Sequence, residues 1–131
     1  MIKIVGLGPG SKESLTIGTL NELRNGKNVF LRTEKHPTVD YLIEEKVNFS
    51  TYDNVYETKE SFDEVYLDIA QDLICKHKEC GDLVYAVPGH PLVAEKSVFN
   101  LIDLCKEENI EYKIIPAVSF IDAMMEGLQI D

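Results

Sequence analysis

The stretch Leu83-Val84-Tyr85-Ala86-Val87-Pro88-Gly89-His90-Pro91-Leu92-Val93-Ala94-Glu95 constrains the fold more than any other part of the chain. Its first five residues form an apolar run that is too short for a helix of its own and suits a buried strand. Pro88 and Gly89 then turn the chain sharply, and the residues after Pro91 can run helical. Strand, tight turn and helix make the half-unit of an α/β sheet, and such sheets bind ligands where strands hand over to helices. His90 stands inside this turn, either as a base towards a substrate or as a scaffold group hydrogen-bonded within the turn. The scaffold role is the expectation taken forward.

The rest of the chain repeats that unit. Ile2 to Val5 is a β-branched run that enters Gly6-Leu7-Gly8-Pro9-Gly10 at once. A dinucleotide fingerprint would need a third glycine at position 11, where Ser11 stands, and Pro9 removes an N–H that a phosphate cradle would use. Thr16 caps a helix through Arg24, with Ile17, Leu20 and Leu23 on one face and Gly26 as a left-handed stop. Asn28 to Arg32 reads as the second strand, and Pro37 opens a helix through about Glu45. Glu34 lies where a Rossmann fold carries its ribose-binding acid, but it and His36 are read as a polar loop tip. Phe49 to Tyr52 is a short strand and Asp53 to Glu60 a loop.

Ser61 and Glu64 form a capping box. Behind it Phe62, Val65, Tyr66, Ile69, Ala70 and Leu73 recur at helical spacing, which predicts a helix packed on the sheet and stopped at Gly81. Val98 to about Glu108 is a further helix, Glu111 to Ile115 a strand, and Ile121 to Gly127 the start of another helix. The order predicts an α/β fold over residues 1–131, a single domain with a parallel sheet of about five strands and helices on both faces.

Composition narrows the function. The net charge of −10 argues against nucleic acid, whose affinity rests on neutralising phosphates with Lys and Arg. No apolar run approaches the roughly 20 residues of a membrane helix. The three cysteines, Cys75, Cys80 and Cys105, have no framework spacing, which predicts a reduced, cytoplasmic setting. Cys75-Lys76-His77-Lys78-Glu79-Cys80 lacks the spacing of a zinc knuckle, so no metal is expected and the cysteines are read as buried small hydrophobes.

Three strand ends carry unusual turns: Gly6 to Gly10, Pro88 to Pro91, and Pro116 to Phe120. In a parallel sheet all three meet at the carboxyl edge, where a ligand would sit. The residues Val5-Gly6-Leu7-Gly8-Pro9-Gly10, Leu15-Thr16, Val87-Pro88-Gly89-His90-Pro91-Leu92-Val93 and Ile115-Pro116-Ala117-Val118-Ser119-Phe120 occur in an order and spacing that resembles the amino-terminal half of the tetrapyrrole methylase superfamily, the class III S-adenosylmethionine-dependent methyltransferases. Val-Pro-Gly-His-Pro-Leu-Val-Ala-Glu is most similar to the bacterial branch fused to a MazG nucleotide pyrophosphohydrolase.

The resemblance implies S-adenosylmethionine as cofactor and a small-molecule methyl acceptor. It implies cofactor contacts from Pro9, Pro88, Gly89, His90, Val93, Ser119 and Phe120, with Gly8 and Gly10 facing the substrate cleft; the catalytic residue stays open. Most relatives carry Asp at the position of His90 and Gly at that of Ala117, which separates this chain from a standard tetrapyrrole substrate. The family continues into a second α/β domain that closes over the cofactor, so the resemblance implies that these 131 residues lack that domain and the MazG domain. They are then expected to be inactive alone, and to associate as a homodimer through the uncovered apolar face. The alternative is a non-catalytic binding or regulatory module of a nucleoside triphosphate pyrophosphohydrolase.

Overall fold

Two strands are apolar on both faces, and a sheet buries such strands at its centre. They are β1 (Ile2–Gly6) and β4 (Leu83–Val87), paired in parallel from Ile2 opposite Leu83 to Gly6 opposite Val87. The computed structural model describes residues 1–129. In it β2 (Val29–Leu31), β3 (Ser50–Thr51) and β5 (Tyr112–Ile114) complete a parallel sheet in the order β3-β2-β4-β1-β5. Lys3 is the one charged residue in β1, and its ammonium pairs with Glu22 at 2.9 Å.

The helices are α1 (Ile17–Asn25), α2 (Thr38–Glu44), α3 (Asp53–Thr58), α4 (Phe62–Cys80), α5 (Lys96–Glu107) and α6 (Phe120–Leu128). Period-two alternation divides the core. Ile2, Ile4, Leu83, Tyr85 and Val87 pack on one face with Val65, Ile69 and Leu73 of α4 and Val98 and Leu101 of α5. Val5, Leu7, Val84 and Ala86 pack on the other with Leu23 of α1 and Val39 and Leu42 of α2. The expected α/β architecture, a five-stranded parallel sheet with helices on both faces, is the one observed. Tyr85 is fully buried, and its hydroxyl shares a hydrogen bond with Ser97 Oγ at 2.8 Å.

Several local expectations are corrected. Asp53 to Thr58 is a helix, because Asp53 stands in its first turn, where a carboxylate complements the helix dipole. Gly26 ends α1 in an extended conformation (φ −69°, ψ 136°); its constraint is space, since a Cβ there would lie 2.8 Å from Glu22 O. Ile17 is 79% exposed and Thr19 buried instead, so the buried face of α1 is rotated from the expected one. Phe62 is also exposed, at 68%, and stacks on Tyr66 with ring centroids 6.2 Å apart. Cys75 and Cys80 are exposed, since Leu73 and Ile74 take the inward positions of that turn; Cys105 alone is buried. Ser61 accepts from Glu64 N as expected, but Glu64 reaches Glu60 N rather than closing the box on Ser61.

Among the described residues no helix is long and apolar enough to cross a membrane. Helix α6 buries none of its residues and exposes Phe120, Ile121, Met124, Met125 and Leu128.

Candidate functional site at the carboxyl edge

The three turns meet over the carboxyl ends of β1, β4 and β5. After β1 the ladder continues one step, with Leu7 N donating to Val87 O at 2.8 Å. Gly8 and Gly89 then form an antiparallel bridge, with Gly89 N to Gly8 O at 2.9 Å and Gly8 N to Gly89 O at 3.3 Å. Both glycines hold positive φ (76° and 68°), a region costly for residues with a Cβ. Beneath the bridge Gly6 has no room for a side chain: a Cβ would lie 2.1 Å from Gly89 O and 2.6 Å from Ala117 Cβ. The Gly6, Pro88 and Ala117 segments are thus locked together by contact, independently of any ligand.

Above this bridge lies a cleft of about 180 Å3 lined by Gly8 and Pro9 from the first turn and by Pro88, Gly89, Val93, Ala94 and Glu95 after β4. His36 and Phe120 close its sides. Ligand pockets usually enclose roughly 300–1,000 Å3, so the cleft can hold only part of a cofactor-sized molecule. A larger hollow of about 730 Å3 opens beside the edge strand β3, but it contains none of the three turns.

Pro9, Pro88, Gly89, Val93 and Phe120 come together in this cleft, with Gly8 beside them. His90 and Ser119 do not line it. His90 Nδ1 accepts from Leu92 N at 3.0 Å, the within-turn bond expected for a scaffold residue. Ser119 is buried at the start of α6, where its N–H and hydroxyl both donate to Asp122 Oδ2 (2.9 and 3.0 Å). Those bonds hold the Asp122 carboxyl below the usual carboxylate range. Gly10 also lies outside the lining, with Pro37 the nearest group to its Cα substituent position.

Two further side chains belong to the site: His36, read from sequence as part of a polar loop tip, and Glu95, given no role there. His36 reaches the cleft, where Nε2 donates to Gly8 O at 2.9 Å while Nδ1 accepts from Thr38 N at 3.2 Å. This pair of bonds specifies the neutral Nε2–H tautomer, and burial lowers its affinity for a second proton. Gly8 O therefore accepts from both Gly89 N and His36, which ties the loop after β2 to the turns after β1 and β4.

The second is Glu95, 5% exposed at the foot of α5. Both its oxygens accept from Arg32 Nη1, at 2.9 and 3.1 Å, across 63 residues of chain. Burial pushes the Glu95 carboxyl up to about 7 although Arg32 opposes the rise. Ala94, immediately before it, has φ 57°, a left-handed conformation that costs roughly 1–2 kcal/mol in a residue with a Cβ. Such strain at a ligand cleft marks a backbone fixed by its surroundings.

The family model for tetrapyrrole (corrin/porphyrin) methylases matches residues 1–131. The chain belongs to this family. The uncharacterized protein YabN of Bacillus subtilis is 41% identical over 130 residues, which are 99% of this chain and 26% of YabN. A methyltransferase and cyclic-peptide precursor of Gymnopus fusipes is 24% identical over 130 residues, 99% of this chain and 31% of that protein. Among solved structures, a uroporphyrin-III C-methyltransferase from Thermus thermophilus superposes with a TM-score of 0.73 at 21% identity, over 99% of this chain and 53% of that one. The Thermus thermophilus enzyme complexed with S-adenosylhomocysteine gives 0.68 at 17% identity, over 96% and 47%. The chain thus spans about a quarter to a third of these curated relatives and about half of the solved methyltransferases.

Proposed function

We propose that this chain is the amino-terminal half of a S-adenosylmethionine-dependent methyltransferase, and that its carboxyl-edge cleft receives the cofactor. The observation that carries this reading is convergence: Pro9, Pro88, Gly89, Val93 and Phe120 come from three separate turns and line one cleft. The family membership and the S-adenosylhomocysteine held by a structural relative support it. His90 and Ser119 act behind this surface, fixing the Pro88 turn and the start of α6, and Gly8 with Gly10 belongs to the side facing a small-molecule acceptor.

Methyl transfer from a sulfonium displaces a neutral thioether, so the protein chiefly orients donor and acceptor, which can supply on the order of 7–11 kcal/mol. The small cleft and the uncovered face of α6 suit a second domain that completes the pocket in the full-length parent. A methylase half spans about half of the solved methyltransferases but only 26% of YabN. That ratio leaves room for another module besides the second methylase domain, and the resemblance of the Val87–Glu95 motif makes a MazG-type nucleotide pyrophosphohydrolase our reading of it. The free cysteines suit a cytoplasmic setting.

Calorimetric titration of the full-length parent with S-adenosylhomocysteine tests the reading. Saturable heat is expected, while the 131-residue chain alone should bind weakly or not at all. Silence from a parent with competent pyrophosphohydrolase activity would leave the regulatory-module reading in its place. The exposed face of α6 also predicts self-association of the isolated chain. Sedimentation at rising concentration should show dimers that Met124→Asp disperses, and a monomer throughout would refute this.

A further inference from the structure

Glu95 has no role in the cofactor contacts proposed above, yet among the described residues it is the only acidic one that lines the cleft, and no lysine or arginine among them lines it. Its position across the sheet edge is informative. Phe120 marks the β5 side of the cleft and Pro9 with Gly89 its middle, while Arg32, which holds Glu95, follows β2 on the opposite side. A donor seated on the β1, β4 and β5 turns therefore has Glu95 on its β2 flank. In a cleft of only about 180 Å3, Glu95 is part of the wall that a bound group meets.

We propose that Glu95 is the proton acceptor of the transfer, so that the methyl acceptor reacts through a neutral N–H or O–H. This rests on the methyltransferase reading. The acceptor's lone pair attacks the methyl carbon, and the carbon–sulfur bond breaks with its electrons passing to sulfur. The sulfonium becomes a neutral thioether, and the acceptor's proton moves to a Glu95 oxygen. The carboxylate becomes a neutral acid, and Arg32 keeps the group oriented through both charge states. Arg32 is thus a positioning residue.

The surroundings suit a group that changes charge near neutral pH. Arg32 faces Glu95 from the end of β2, Tyr56 from α3 and Tyr85 from β4, while His36, from the loop after β2, shares the cleft with it. Burial pushes Tyr56 up to about 12 and Tyr85 further, and lowers His36. Burial raises Glu95 to about 7.

Sinefungin places an ammonium where the cofactor carries its transferable methyl, and S-adenosylhomocysteine places nothing there. Both ligands, titrated into the full-length parent, read the carboxylate directly. Wild type should bind sinefungin about tenfold tighter, the value of a charge-assisted hydrogen bond. Glu95→Gln should erase that preference while holding S-adenosylhomocysteine within about twofold, which also shows that the variant folds. In wild type alone the preference should grow as pH rises through about 7, because the carboxylate ionises while the amine stays protonated. A preference that is absent, unchanged in Glu95→Gln or flat with pH overturns the role of Glu95. Failure of wild type to bind either ligand overturns the methyltransferase reading and this proposal with it.

Discussion

Gly6→Ala is expected to lower the melting temperature by about 10 °C and to abolish S-adenosylhomocysteine binding by the full-length parent. The added methyl would lie 2.1 Å from Gly89 O, 2.6 Å from Ala117 Cβ and 3.0 Å from Pro91 Cδ. Two of these three neighbours belong to the turn after β4 and one to the turn after β5, and the nearest is backbone, which no rotamer change can move. Overpacking of this kind costs roughly 1–3 kcal/mol or more, and 3 kcal/mol corresponds to about 10 °C in a domain of this size. The damage falls on the bridge between Gly8 and Gly89, so binding should fail before folding does. Gly127→Ala is the control. Its Cβ meets nothing within 4 Å in α6, and alanine favours a helix over glycine by up to about 1 kcal/mol, so stability should be held or raised. Equal melting temperatures for Gly6→Ala and wild type would refute the locked-turn account.

Arg32→Ala should cost about 3–5 kcal/mol at pH 8, the usual penalty for leaving a buried charge without its partner. The pH dependence identifies the charge. Burial raises the folded Glu95 carboxyl from 4.5 to about 7, so the folded state binds its proton more tightly than the unfolded state does. Stability from this group is therefore greatest below about 4.5 and declines as pH rises towards 7. Without Arg32 the carboxyl rises further, since the one effect opposing burial is gone. The variant should then recover most of the lost stability at about pH 5, where the acid is neutral, and lose it again at pH 8. Chemical denaturation at the two pH values measures this. A loss of equal size at both would mean that Arg32 stabilises through packing of its stem alone.

The sheet was legible because its signals are local and redundant. β4 is an unbroken apolar run, β1 is nearly so, and each is followed by a turn rich in Gly or Pro. Thr16 was readable as a cap for the same reason, since its hydroxyl accepts from Thr19 N three residues on. The candidate cleft was legible where backbone shape makes it, at Gly8, Pro9, Pro88 and Gly89, and through the resemblance at Val93 and Phe120. His36 was read as a loop tip and Glu95 was given no role because their places depend on partners distant in sequence. His36 contacts Gly8, 28 residues away, and Glu95 contacts Arg32, 63 residues away. A lone histidine in a polar loop and a glutamate ahead of a helix carry no local mark of either partner. Helix α3 was hidden by composition: an acidic stretch with few apolar residues has no stripe, and only Val55 and Tyr56 pack against the core.

His90 shows a further limit. Its place in the most distinctive motif invites a chemical role, yet its Nδ1 is committed to Leu92 N and it does not line the cleft. The cleft's carboxylate is found five residues later, in a backbone bent by left-handed Ala94.

A crystal structure of the full-length parent grown with S-adenosylhomocysteine tests the central claim most directly. The cofactor product should lie against Pro9, Pro88, Gly89, Val93 and Phe120, with its sulfur directed towards the flank that carries Glu95. S-adenosylhomocysteine bound elsewhere, with those five residues still facing solvent, would contradict it.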